Sequence, residues 1–246
     1  MRRYLFIIGA QRSGTTLLAE TLDSHPAVHF AKPIRPEPKY LLKCEGKVDL
    51  SAYEAKYFSG VADPVLRGEK STSYIEYPQV AVSIRDHFPD ARCIAVLRDP
   101  VERAISNYWF SVENGFEKRP PEEALQPTSD DAALVAGVSA SPFAYLRRGR
   151  YLGYLQAYAD VLGKERLLVL QTEQLIHGGG SWRQVYDFLG LERREPPGEM
   201  ERANSVPRER PVAQATLERL AAYYAPYNAE LARHYGIDLG LWRRPA

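Results

Sequence analysis

Tyr4-Leu5-Phe6-Ile7-Ile8-Gly9-Ala10-Gln11-Arg12-Ser13-Gly14-Thr15-Thr16 decides the architecture. The first six residues are a continuous apolar run of strand length, and Thr15 to Leu22 then places Leu17, Leu18 and Leu22 on one helical stripe. A buried strand, a glycine loop and a helix therefore follow in order. In that arrangement backbone amides and a helix N-terminus can bind a phosphate. Gly9 and Gly14 have the separation of a G-x-x-x-x-G-K-S/T loop, with Thr16 in its last position, but Thr15 stands where the lysine belongs. Arg12 supplies positive charge two residues before Gly14 instead. Close strand-to-helix packing would also account for the two glycines alone.

Outward from this unit, Val28 to Phe30 reads as a short strand, and the three prolines between Lys32 and Pro38 imply a shaped loop. Leu50 to Phe58 reads as a helix and Leu66 to Thr72 as a strand edge entering a turn. Gln79 to Phe88 is an amphipathic helix. Arg92 to Leu97 is a second buried strand. Asp99 caps a helix that starts with Pro100 and runs to about Glu113. Residues 114–141, rich in proline and acids, are expected to form a mobile insertion with at most one short helix. Tyr151 to Leu162 is helical, Leu167 to Leu170 is a third apolar strand, Trp182 to Leu189 is a helix closed by Gly190, and a last helix runs from about Val212 to Tyr224. Strands alternating with helices predict an α/β three-layer sandwich around a mainly parallel sheet, in one domain over 1–246. Ligands of such sheets sit beyond the carboxyl ends of the strands, which is where the glycine loop falls.

The 246 residues carry 32 Lys plus Arg against 31 Asp plus Glu, a formal net charge of +1, which excludes a generally basic nucleic-acid coat and an acidic disordered tail. With 45% hydrophobic residues the chain is globular. Cys44 and Cys93 are far apart and match no metal-ligand spacing, which favours a reducing compartment. The N-terminal apolar run is too short for a signal peptide, and no stretch reaches the ~20 apolar residues of a membrane span. A cytoplasmic protein that engages neither membrane nor nucleic acid is expected. Its oligomeric state is not legible.

A second cluster, Leu97-Arg98-Asp99-Pro100-Val101-Glu102-Arg103-Ala104-Ile105-Ser106, puts Arg98 at the end of a buried strand, where it can contact a phosphate bidentately or pair with Glu102. Here the chain becomes recognisable. The first loop resembles the 5′-phosphosulfate loop, and Arg98 through Ser106 the 3′-phosphate motif, of sulfotransferases that use 3′-phosphoadenosine-5′-phosphosulfate (PAPS). Gly68-Glu69-Lys70-Ser71-Thr72-Ser73-Tyr74, Gly149-Arg150-Tyr151, Phe188-Leu189-Gly190-Leu191 and Tyr224-Ala225-Pro226-Tyr227-Asn228 resemble further segments of the heparan-type and bacterial branch. The similarity covers almost the whole chain.

That resemblance implies in-line sulfuryl transfer from PAPS to a hydroxyl, or less readily an amine, of a small molecule or carbohydrate. It leaves 3′,5′-bisphosphoadenosine (PAP) as product and needs no metal. It implies cofactor contacts from Gln11, Arg12, Ser13, Gly14, Thr15, Thr16, Arg98 and Ser106, with Arg208 or Arg210 from a C-terminal loop. Arg12 is expected to stabilise the leaving phosphate, with Lys70 beside the transferring group. Glu37, in Arg35-Pro36-Glu37-Pro38-Lys39-Tyr40, resembles the family's catalytic glutamate, and His29 is the rival base because its ordinary pKa lies near neutrality. Tyr74 either stacks on adenine or fills the core. A P-loop small-molecule kinase is the alternative enzyme, and a catalytically inactive nucleotide-binding protein the alternative class.

Overall fold

A computed structural model describes residues 2–44, 47–127, 141–177, 179–195 and 212–242. Strand β1 (Tyr4–Gly9) is buried along its whole length and leads through the glycine loop into α1 (Thr15–Asp23). There follow β2 (Val28–Phe30), the short α2 (Tyr40–Lys43), α3 (Leu50–Tyr57), β3 (Leu66–Lys70), α4 (Pro78–His87) and β4 (Arg92–Leu97). Next come α5 (Pro100–Glu113), α6 (Pro121–Ala124), α7 (Tyr151–Leu162), β5 (Leu167–Gln171), α8 (Thr172–His177), α9 (Gly179–Leu189) and α10 (Gln214–Tyr235). The chain divides into two compact units, Met1–Leu97 with Tyr154–Ala203, and Arg98–Gly153 with Asn204–Ala246.

The first unit holds the sheet. Its order is β2-β3-β1-β4-β5 and every pairing is parallel. Alternation along each strand divides the core into two layers. Leu5 and Ile7 of β1 join Ile94 and Val96 of β4 and Leu168 and Leu170 of β5 against Leu18 and Leu22 of α1 and Val185 and Leu189 of α9. On the opposite face Tyr4 and Phe6 meet Phe88 edge-on at 4.8 and 5.1 Å, and Tyr53 of α3 meets the same ring at 5.6 Å. Helices thus cover both faces, as the apolar runs require. The segment beginning at Leu66 is an interior strand between β2 and β1 and not a sheet edge. Its Gly68 admits the Phe30 ring so closely that a Cβ there would lie 2.7 Å from it.

The second unit packs α5, α6 and α10 around Val101, Ala104, Tyr108, Leu125, Tyr145, Leu220 and Tyr224. Asp99 caps α5 by accepting from the Val101 amide at 2.9 Å. Of residues 114–141, 128–140 lie outside the described residues; the rest contains α6 and buries Ala124 and Leu125. The last helix differs from expectation at its end, continuing through Pro226 to Tyr235 because Leu231 beyond the proline is buried. Helix α9 begins three residues earlier than expected, and α2 and α8 were too short to leave a periodic signal.

Glu117 fastens the start of that stretch. Its carboxylate accepts from the Lys118 and Arg119 amides, from the Arg119 guanidinium and from the Tyr145 hydroxyl. Burial alone would raise its pKa, but these donors overcome it and lower the value from the ordinary 4.5 to about 2. The depressed folded value makes this contribution fully present above the unfolded pKa and lost as pH falls toward about 2. The thermal midpoint of Glu117→Gln should therefore lie below that of the unsubstituted protein at pH 6, and the gap should close as pH is lowered from 5 to 2. A gap independent of pH would show that the carboxylate's charge contributes nothing.

Candidate active site

The glycine loop sits where the sheet order diverges. From β1 the chain goes by α1 to β2 and β3 on one side, whereas β4 and β5 build the other side. The resulting crevice at the carboxyl ends is the place where open parallel sheets bind ligands. Gly9 allows the turn out of β1, since a Cβ there would lie 2.7 Å from Ile75, and Ala10 donates its amide to Val96 at 2.8 Å. Arg12 and Gly14 have positive φ, 66° and 75°, so the loop reverses direction twice before α1.

Three features of this loop fit an anion. Helix α1 has neither a side-chain cap at Gly14 nor an acid in its first turn, so its N-terminal amides and dipole oppose no negative group. Ser13 is fully buried and its Oγ is without a hydrogen-bond partner among the described residues. Such a buried polar atom costs about 1–3 kcal/mol unless a ligand satisfies it. Thr15 and Thr16, also buried, open the helix with hydroxyls instead of the bulky ammonium of an ATP-binding loop.

Thr172, which the sequence reading passed over, pins the loop to the sheet. Its hydroxyl lies 2.8 Å from the Ser13 carbonyl and 2.9 Å from the Leu97 carbonyl, and its methyl would be 3.2 Å from a Cβ on Gly14. Only a threonine or serine at the start of α8 offers both contacts. A lone threonine after an apolar strand carries no sequence signal for them.

Parallel register brings the next cluster to the same sheet end. Ile7 of β1 is opposite Lys70, the last residue of β3. Lys70 is 4% exposed and donates to Glu37 Oε1 at 2.9 Å. Thr72 donates its hydroxyl to the same oxygen at 2.8 Å and its amide to Oε2 at 3.0 Å. The proline-rich loop therefore delivers Glu37 against a buried ammonium, which offsets the large cost of enclosing that charge. A carboxylate has roughly four lone-pair directions, and these three bonds leave one on Oε2.

His29 lies elsewhere: it faces the edge of the Phe58 ring at 6.2 Å, on the outermost strand β2. Tyr74 is fully buried and serves the core, with its hydroxyl in a polar cluster, so stacking on adenine is not available to it. In the second unit, Arg98 donates to Glu102 at 3.2 Å, as the simpler reading of that pair anticipated, and its carbonyl accepts from the Tyr151 hydroxyl. Ser106 is buried on α5. Arg208 and Arg210 lie outside the described residues. Among the described residues there is no group of three or more His, Cys, Asp or Glu able to hold a metal, and no helix long and apolar enough to cross a membrane. Cys44 and Cys93 are both free thiols.

A parallel sheet, a phosphate-type loop at its switch point and a carboxylate–ammonium pair beside it define an α/β group-transfer enzyme. Comparison with known proteins makes this specific. The family model for the sulfotransferase domain matches residues 2–206. Heparan sulfate glucosamine 3-O-sulfotransferase 6 of Mus musculus is 25% identical over 262 residues, covering 95% of this chain and 72% of that protein. Among solved structures, a sulfotransferase from Alicyclobacillus acidocaldarius superposes with a TM-score of 0.78 at 24% identity, over 99% of this chain and 100% of that one. The sulfotransferase domain from the curacin biosynthetic pathway shares the fold at a TM-score of 0.51 and 16% identity, over 92% of this chain and 98% of that one. The chain belongs to the sulfotransferase family. It is a PAPS-dependent enzyme that transfers a sulfuryl group to a carbohydrate or small-molecule acceptor.

Thr172→Val removes the hydroxyl while keeping the shape, and with it the single proton that the Ser13 and Leu97 carbonyls share. It should lower stability by about 1–3 kcal/mol and weaken PAP binding about tenfold, equivalent to ~1.4 kcal/mol. Thr172→Ser should restore both. Calorimetric titration of the two variants measures this, and an unchanged affinity in the valine variant would remove Thr172 from the loop's support.

Proposed function

We propose that the Glu37 carboxylate is the general base of this sulfotransferase and that the acceptor group is a hydroxyl of a carbohydrate or similar hydroxylated molecule. The pairing of Glu37 with Lys70 and Thr72 carries the proposal. It holds a carboxylate, with one acceptor direction left over, at the sheet end that bears the phosphate-type loop. His29, edge-on to Phe58 on the far strand, has no comparable placement.

Bound PAPS supplies the activated sulfuryl group. The acceptor oxygen forms a bond to sulfur as the bond between sulfur and the phosphate oxygen breaks, and Glu37 takes the hydroxyl proton. Negative charge then grows on the phosphate side. Arg12 is assigned to it, because a guanidinium stays charged at any working pH and can contact oxygens at two points. Lys70, paired with the proposed base and opposite Ile7 of β1, is assigned a share of that role. Gln11, Ser13, Gly14, Thr15 and Thr16 cradle the 5′-phosphosulfate through amides and hydroxyls, with the orphaned Ser13 Oγ as one intended contact. Arg98 and Ser106 take the 3′-phosphate, the group that separates PAPS from ATP, and Arg208 or Arg210 remains the proposed closing cation.

The acceptor class follows from the chemistry of the site and the acceptors named in the relatives. The mouse relative is a glucosamine 3-O-sulfotransferase, an enzyme of a sugar hydroxyl. Here the loop that carries Glu37 also carries Arg35, Lys39 and Tyr40, polar and aromatic groups suited to a hydroxylated partner.

Glu37→Gln should bind PAP within about twofold of the unsubstituted enzyme while transfer from labelled PAPS falls by about 10²–10⁴. The unsubstituted enzyme should prefer PAP to ATP with or without magnesium. Full transfer by Glu37→Gln would refute the base assignment, and a preference for ATP would refute the cofactor assignment.

A further inference from the structure

Beside Glu37 lies a second carboxylate with a different environment. Glu69 precedes Lys70 on β3, is fully buried, and forms no ion pair among the described residues; instead it gathers hydroxyls. Its Oε1 accepts from Ser71 at 2.7 Å and from Tyr74 at 2.5 Å, and its Oε2 accepts from Tyr53 at 2.8 Å. The Tyr40 amide also donates to it. Burial raises the Glu69 pKa against the opposing pull of these donors, and it raises the Tyr53 and Tyr74 hydroxyls well above their ordinary range, with Glu69 adding to both.

The direction of these bonds matters. A hydroxyl has one proton, and when Ser71 and Tyr74 give theirs to Glu69 their oxygens can only accept from elsewhere. Both do so from the Glu37 loop. The Lys39 amide donates to Ser71 Oγ at 2.9 Å and the Leu41 amide donates to the Tyr74 hydroxyl at 2.9 Å. Three successive amides, of Lys39, Tyr40 and Leu41, are thus held by one buried carboxylate, directly or through a hydroxyl it orients. Lys39 adopts a positive φ of 50° at this point, a backbone shape that the side chain itself does not favour. The anchorage begins two residues after Glu37.

We propose that Glu69, acting through Ser71 and Tyr74, is a positioning residue that fixes the loop so that Glu37 meets Lys70 and Thr72. It touches neither acceptor nor cofactor. This rests on the reading of Glu37 as the base. A base misplaced by about 1 Å can cost on the order of 10²-fold in rate, so the anchorage has a kinetic consequence beyond its share of stability.

Tyr74→Phe and Ser71→Ala each remove one hydroxyl and leave Glu69 in place. Each should lower kcat by about tenfold or more with the KM for PAPS and the Kd for PAP changed less than about twofold. The decisive measurement repeats both substitutions in a Glu37→Gln background, following labelled sulfuryl transfer in single turnovers. Because the hydroxyls act through Glu37, they should change the residual rate there by less than about twofold. Equal losses in both backgrounds, or PAP affinity falling in step with kcat, would overturn the positioning role. If Glu37→Gln alone transfers at the full rate, the base assignment fails first and this inference falls with it. Should Tyr74→Phe not fold, Ser71→Ala carries the same test.

Discussion

β1 has a hydrogen-bonded strand on each side and a helical layer on each face, and that enclosure governs the site. All six of its residues are buried, so the strand meets other chemistry only at its ends. At the carboxyl end the two halves of the sheet part, because β3 and β4 lie on opposite sides of β1 and continue away from each other. The chain has to leave the sheet there through residues that fit beside Ile75 and Thr172, which is the reason for glycine at 9 and 14. A loop so constrained presents amides to the crevice whatever else it does. The anion-binding role proposed for it is a consequence of the way a central parallel strand terminates.

Charge is distributed by the same geometry. A net charge of +1 over 246 residues hides a local arrangement in which Lys70 is buried at the end of β3 and Arg12 stands in the loop after β1. An ammonium removed from water needs a counter-charge, and Glu37 provides it from a loop 33 residues away in sequence. Pairing with Lys70 therefore makes the buried lysine tolerable and at the same time determines where the carboxylate stands. Stability and the placement of the proposed base are one interaction here.

How much of this is legible in the sequence depends on the range of the interactions. β1, α1, β4 and the Asp99 cap of α5 follow from local pattern, because apolar runs, glycine spacing and a capping residue before proline are signals within a dozen residues. Pro226 misleads for a similar reason. It marks a stop locally, but burial of Leu231 outweighs the lost hydrogen bond and α10 continues to Tyr235. Glu37 and Lys70 are each visible as motif positions, whereas the bonds between them and Thr72 depend on the loop after β2 folding back onto the residues that end and follow β3. Thr172 is out of reach for the same cause, since its partners, Ser13 and Leu97, come from two other strands' ends.

The two neighbouring acids show how a strand assigns roles. Glu69 and Lys70 are adjacent on β3, so their side chains leave the sheet on opposite faces. Lys70 meets the loop that carries Glu37. Glu69 enters the layer of Tyr53 and Tyr74, where a carboxylate can persist only if hydroxyls and amides replace its water. Had the strand slipped by one residue, the ammonium would face the hydroxyl layer and Glu69 would face Glu37, two like charges at the position of the proposed base. The register of β3 against β1 is therefore what separates the carboxylate proposed for chemistry from the one proposed to hold it in place.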